Sequence, residues 1–138
     1  MFFYMYMSDD NKPIGWWLKE VDRLLEQSLA GALAVEGVDR RQWQLLNAVA
    51  AEGSAIALAP FLPEQADRDR ATAALVERGW VERRGDALAL TADGAALRSR
   101  LTVLVGAQRR RITAGISDAE YGATVDVLRR MAGNLATG

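Results

Sequence analysis

From Ala55 to Thr91 the chain reads AIALAPFLPEQADRDRATAALVERGWVERRGDALALT, and the order of patterns in this stretch leaves few folds open. The run IALAPFL, with Ile56, Leu58, Phe61 and Leu62 apolar, predicts a short helix, and Pro63 and Glu64 turn the chain into a second one that ends at Gly79. In that second helix Ala71, Ala74, Leu75 and Arg78 fall at helical spacing, which gives one packing face and leaves the other free. WVERR and ALALT then flank Gly85-Asp86. A two-residue Gly-Asp between alternating runs predicts a β-hairpin, because Gly supplies the positive φ that tight hairpin turns require. Two short helices followed at once by a tight hairpin form a winged helix.

The same residues carry a family resemblance. LVERGWVERR followed by LALTADGAAL resembles the end of the recognition helix, the first wing strand and the LT-x-x-G entry to the last long helices of MarR-type transcriptional regulators. GWWLKEVDRLLEQSL and VDRRQWQLLNAVAAEG resemble that family's first two helices, and ISDAEYGATVDVLRRMAGNL its C-terminal helix. The resemblance covers nearly the whole chain from Ile14 to Leu135. It implies a dimeric DNA-binding protein whose second helix-turn-helix helix enters the major groove while the wing reaches the minor groove.

Long amphipathic helices bracket the winged helix. Pro13 suits a first helical turn, with Asn11 as its cap, and Ile14, Trp17, Leu18, Val21, Leu24, Leu25, Ser28, Leu29 and Leu33 then recur every three or four residues up to Gly37. Asp39 and Gln42 form a capping-box-like start for a helix carrying Trp43, Leu45, Leu46, Val49 and Ala50, closed by Gly53. Thr91 caps a helix running to about Thr113 on Leu97, Leu101, Leu104, Val105 and Ile112. Gly115 breaks the chain, and Ser117 with Glu120 opens the last helix, bearing Tyr121, Val125, Leu128, Met131 and Leu135. The expected fold is mainly α with a small β-hairpin wing: a single domain over 1–138, a winged-helix lobe at 38–91, and dimerisation helices at 12–36 and 92–135. A first helix this long cannot bury its stripe on so small a lobe, so the surplus apolar faces predict a symmetric homodimer.

Composition narrows the chemistry. At 138 residues, with 50% hydrophobic and 25% charged content, the chain suits a globular protein large enough to bury a core. It has no Cys and no His, which removes thiolate chemistry, the commonest general base and the commonest metal ligand. No nucleophile and base pair stands out, so an enzyme is not expected, nor a cofactor, nor a metal site. MFFYMYM at the start is apolar but only seven residues long, lacks a basic flank and precedes SDDNK, so it reads as neither a signal peptide nor a membrane span but as an arm that packs on a partner subunit, the alternative being a poorly ordered extension or a misplaced start. A cytoplasmic protein without a membrane partner is expected.

The net charge of −1 means that any nucleic-acid binding must come from a local patch. By position in the resembled family, Gln65, Ala66, Asp67, Asp69, Arg70 and Ala73 fall on the outer face of the second helix, with Arg68 nearer the inner face. The DNA-binding set is therefore Gln65, Arg68, Asp69 and Arg70, joined by Arg83 and Arg84 at the base of the wing. From Glu64 to Asp86 five arginines face six carboxylates, so the segment is not basic. The wing also departs from the family pattern. Family wings are longer and carry an Asp-x-Arg for the minor groove, whereas here the hairpin closes at Gly85-Asp86. Asp67 and Asp69 have a plain structural use as well, because acids early in a helix suit its free N–H groups and its dipole.

Arg109, Arg110 and Arg111 point about 100° apart on a helix, so they are not one patch, and they serve as a solvated face, in intersubunit ion pairs or in phosphate contact. Trp16 and Trp17 also diverge. One is expected in the core, and two uses stand for the other, core packing or the lining of a cavity that takes a small aromatic effector, as the resemblance implies. Two functions follow. The first is a MarR-type regulator binding a pseudo-palindromic double-stranded DNA operator as a homodimer. The second is a ligand-sensing or protein-interaction module that keeps the scaffold with DNA binding weakened or lost.

Overall fold

The computed structural model describes residues 11–137, so the MFFYMYM arm lies outside the described residues. Seven regular elements of α and β type appear in chain order. They are α1 (Ile14–Ala34), α2 (Arg40–Glu52), α3 (Gln65–Glu77), β1 (Val81–Arg84), β2 (Ala87–Leu90), α4 (Ala92–Ile112) and α5 (Asp118–Thr137), with a single 3-10 turn at Ile56–Leu58 between α2 and α3. The fold is mainly helical with a small hairpin wing, as the sequence pattern predicts. The chain forms two compact units, one ending at Val105 and the other beginning at Gly106.

Local chemistry sets most of the boundaries in the first unit. Pro13 is itself the N-cap of α1, without a side-chain cap, so Asn11 does not take the capping role. At the far end Val38 N–H reaches Leu33 O and Gly37 N–H reaches Ala34 O, with Gly37 at φ 69°. These two bonds form a Schellman close, and the buried Leu33 and Val38 supply its apolar contact. The Asp39 carboxylate accepts from Gln42 N–H at 2.8 Å while the Gln42 side chain accepts from Asp39 N–H, a complete capping box for α2. Gly53 ends α2 at φ 63°, and its carbonyl accepts the Leu88 N–H at 2.8 Å, tying the helix to the wing.

The predicted helix over IALAPFL is shorter than its apolar spacing suggests. Leu58 N–H bonds to Ala55 O, Ala59 to Ile56 O and Phe61 to Leu58 O, all three residues apart. In an α-helix the residue at 60 would donate to Ile56 O, but Pro60 has no N–H, so the ladder cannot run through it. Only Leu58 of this element is buried, while Ile56 and Phe61 are each 57% exposed.

The hairpin follows the expected register. Val81 pairs with Leu90 and Arg84 with Ala87, which leaves Gly85 and Asp86 as a two-residue loop with Gly85 at φ 60°. One core joins the elements of this unit, formed by Leu33, Val38, Leu45, Leu46, Val49, Leu58, Leu75, Val81, Leu97, Leu101 and Val105. Trp43 packs against it half-buried, and Ala50 is exposed. Leu33 is the only buried residue of α1, and Ile14, Trp17, Leu18, Val21, Leu24 and Leu25 are all exposed. In the second unit Gly115 turns the chain at φ 76°, and Ser117 and Glu120 exchange backbone N–H to side-chain bonds, both at 3.0 Å. The Ser117 N–H, followed by its hydroxyl, holds the exposed Glu120 carboxyl below its ordinary pKa of 4.5. No residue of α5 is buried.

The LT-x-x-G segment is where α4 meets the base of the wing. Thr91 N–H donates to Trp80 O at 3.0 Å, and the Thr91 hydroxyl donates to Gly79 O and accepts from Gly94 N–H at 3.0 Å. Gly94 is buried against the Trp80 peptide, and a Cβ there would lie 1.9 Å from the Trp80 carbonyl oxygen. Because the obstacle is backbone, Gly94→Ala should cost about 1–3 kcal/mol through forced displacement of α4. Urea denaturation should show a lower midpoint at unchanged slope.

Candidate functional site

The candidate surface is the outer side of α3 together with the wing. Thr72 and Leu75 face inward and are buried, and the Thr72 hydroxyl donates to Arg68 O at 2.9 Å. This fixes the opposite side, where Ala66, Asp69, Arg70, Ala73 and Glu77 are exposed, while Gln65, seven residues before Thr72, lies on the Thr72 side and is exposed as the first residue of the helix. The helix ends in a second Schellman close, with Trp80 N–H on Leu75 O and Gly79 N–H on Val76 O, and Gly79 at φ 80°. Arg78, expected on the packing face, is instead exposed. Its guanidinium stacks 3.9 Å from the Trp80 ring centroid and donates to Gly37 O at 3.2 Å, so its charge serves to anchor the end of α3.

The arginines assigned to DNA differ in what already holds them. Arg68 is half-buried and its Nη1 donates to Leu62 O at 2.7 Å and Pro63 O at 2.9 Å, which fastens the loop that leads into α3. Arg70 forms an exposed ion pair with Asp67, one helical turn earlier. Arg84 pairs with Glu82 at 2.6 Å along the same strand. Arg83 is exposed and has no hydrogen-bond or ion-pair partner among the described residues, as is also true of Gln65 and Asp69. Spacing alone marks the Asp67–Arg70 pair, since residues three apart on a helix are neighbours. The two backbone contacts of Arg68 depend on the path of the loop and leave no periodic signal.

The structure places neither tryptophan in the core. Trp16 is half-buried and Trp17 is 41% exposed, their rings meet edge to face at 4.7 Å between centroids, and Lys12 Nζ lies 3.8 Å from the Trp16 centroid. Neither enters the core, because α1 contributes buried contacts only at its C-terminal end. An open groove of about 370 Å³ lies elsewhere, lined by Asp39, Arg40, Arg41, Gln44 and Phe61 and by neither tryptophan. Among the described residues no cluster of His, Cys, Asp and Glu could hold a metal, and no helix is long and apolar enough to cross a membrane.

Solved structures share this arrangement over most of the chain. A MarR-family transcriptional regulator of Rhodococcus sp. RHA1 is 25% identical and matches 91% of this chain and 96% of its own at a TM-score of 0.69. The fold is that of the MarR family. MarR of E. coli in its reduced form is 22% identical, matching 87% of this chain and 93% of its own at a TM-score of 0.65. A MarR family protein of Mycobacterium tuberculosis, solved in complex with DNA, is 22% identical and matches 87% of this chain and 98% of its own at a TM-score of 0.66. That Mycobacterium protein has also been solved with salicylic acid and with p-aminosalicylic acid. No protein-family model and no curated protein matches the chain.

The geometry assigns Arg68 a role in holding the fold that does not depend on DNA. Arg68→Ala should lower stability by about 1.5–3 kcal/mol, the usual range for hydrogen bonds to a charged group. Hydrogen exchange without any DNA present should show the loss of protection concentrated at the first turn of α3.

Proposed function

We propose that this protein is a MarR-type transcriptional regulator that binds a pseudo-palindromic DNA operator as a homodimer. The observation that carries the reading is the outer face of α3, held by a buried inner face and presented beside a two-residue wing, in a fold shared with a family protein solved on DNA. Gln65, Asp69 and Arg70 would face the base edges, Arg83 and Arg84 would lie along phosphate, and Arg68 would act by positioning the helix. The apolar side of α5 and the first half of α1 support self-association. Tyr121, Val125 and Met131 are exposed at helical spacing, as are Ile14, Trp17, Leu18 and Val21, in a pattern suited to burial by a second copy. The edge-to-face pair of Trp16 and Trp17 is the place proposed for a small aromatic effector.

A second reading has its own support. The cations of the face are largely engaged, Arg70 by Asp67 and Arg84 by Glu82, and Asp69 faces outward unpaired. A scaffold whose charges are spent internally suits a ligand-sensing or protein-interaction module with weak DNA binding. Selection from a random duplex library at two salt concentrations separates the readings. Enrichment of a two-fold-symmetric site is expected for the regulator, and its absence at both salts leaves the interaction module. With the selected site, Arg83→Ala should weaken all sequences alike and flatten the dependence of log affinity on log salt by about one per subunit.

Self-association has a separate test. Light scattering should give about twice the chain mass of 15.1 kDa. Val125 is 47% exposed within its own chain, so Val125→Asp should leave the protomer folded by circular dichroism while dissociating the dimer. A folded monomer in the unsubstituted protein at micromolar concentration would sink the homodimer.

A further inference from the structure

We infer that Asp69 reads a base edge from α3 and that it selects cytosine in each half-site. The inference rests on the operator-binding reading and names what that operator contains.

The argument begins with the shape of the exposed face. With Thr72 and Leu75 buried, the helical period puts Ala66, Ala73 and Glu77 on the opposite side, with Asp69 on one flank and Arg70 on the other. The two alanines leave the N-terminal turns of that side flat, so this part of the helix can approach base edges closely enough for a side chain with one methylene to reach them. Arg70, the residue that would ordinarily take a guanine, is drawn toward Asp67 and away from Asp69. Asp69 carries no partner among the described residues and is exposed, so nothing in the fold uses its carboxylate. It sits at the fifth position of α3, beyond the first-turn N–H groups that an acid would otherwise satisfy.

The chemistry of a carboxylate then chooses the base. An ionised Asp only accepts hydrogen bonds, so it needs a donor on the major-groove edge. Guanine presents the N7 and O6 acceptors there and thymine presents O4, and both oppose a carboxylate. Adenine offers its N6 amino group beside the N7 acceptor, whose lone pair would face the second carboxylate oxygen. Cytosine offers the N4 amino group with no acceptor on its own edge. The same logic applies to the flanks. The methyl groups of Ala66 and Ala73 suit the thymine methyl, and Gln65, also unpartnered among the described residues, can take adenine through N6 and N7. A carboxylate repelled by phosphate contributes little to affinity, so its effect falls on discrimination.

The test uses the full-length protein and a duplex library, comparing it with Asp69→Ala and Asp69→Asn, each checked for folding by circular dichroism. The unsubstituted protein should enrich a symmetric site with one cytosine per half-site preferred about tenfold. Asp69→Ala should lose that preference and Asp69→Asn should shift it to adenine, while the remaining positions stay as they were. Synthetic duplexes give the atomic check. N4-methylcytosine at the selected position should weaken the unsubstituted protein about tenfold and leave Asp69→Ala unaffected, since the amino hydrogen that faces the groove is replaced by a methyl group while the pairing hydrogen stays. A symmetric site whose base content is the same with and without the Asp69 carboxylate overturns the inference and leaves operator binding standing. Failure to enrich any symmetric site overturns both.

Discussion

The contact between Gly94 and the Trp80 peptide fixes how α4, the wing and the end of α3 meet in the winged-helix lobe. Trp80 is the residue at which α3 closes and β1 begins, so its carbonyl stands where helix, wing and α4 meet. Thr91 N–H bonds to that carbonyl, the Thr91 hydroxyl bridges Gly79 O and Gly94 N–H, and the absent Cβ of Gly94 lets α4 lie directly on the peptide. A hydroxyl can donate once and accept at the same time, which is what this position requires. The LT-x-x-G pattern is thus a steric and hydrogen-bonding device. It sets the base of the wing relative to α3 before any ligand is present.

Arg78 and Arg68 extend the same rigidity to the two ends of α3. Arg78 stacks on Trp80 and reaches Gly37 O at the close of α1, while Arg68 holds Leu62 O and Pro63 O at the loop before α3. Each uses a guanidinium to satisfy backbone carbonyls that helix ends and loops leave without internal partners. The consequence is a helix whose orientation is well supported and whose cations are partly consumed in supporting it. Counting five arginines against six acids across this segment captures the net charge and misses that division of labour.

Much of the fold was legible because its boundaries rest on short-range chemistry. The Asp39–Gln42 and Ser117–Glu120 boxes, the glycines at 37, 53, 79, 85 and 115, and the Gly85-Asp86 hairpin each announce themselves within a few residues, and each occurs where its pattern predicts. The apolar spacing of IALAPFL predicts a longer helix than forms, because Pro60 has no N–H to carry the ladder past the 3-10 turn at Ile56–Leu58. The site was less legible, for a related reason. Whether an arginine is free depends on backbone carbonyls and carboxylates brought near by tertiary structure, and only the Asp67–Arg70 spacing declares itself in the sequence. Trp16 and Trp17 illustrate the same limit, since periodicity assigns them to a stripe without saying how much of it one chain can cover.

The balance of charge on the proposed DNA surface bears on how such a surface can work. Nonspecific affinity for duplex grows with the number of phosphates neutralised, and a face offering Arg83 with Arg70 and Arg84 already paired neutralises few. The short wing removes the deeper reach into the minor groove that a longer loop would give. What remains is a small, rigid face of two alanines, an amide and a carboxylate, groups that add little attraction to the backbone but respond strongly to base identity. A regulator built this way would bind weakly everywhere and lose little occupancy to random sequence, so its selectivity would come from suppressing wrong sites.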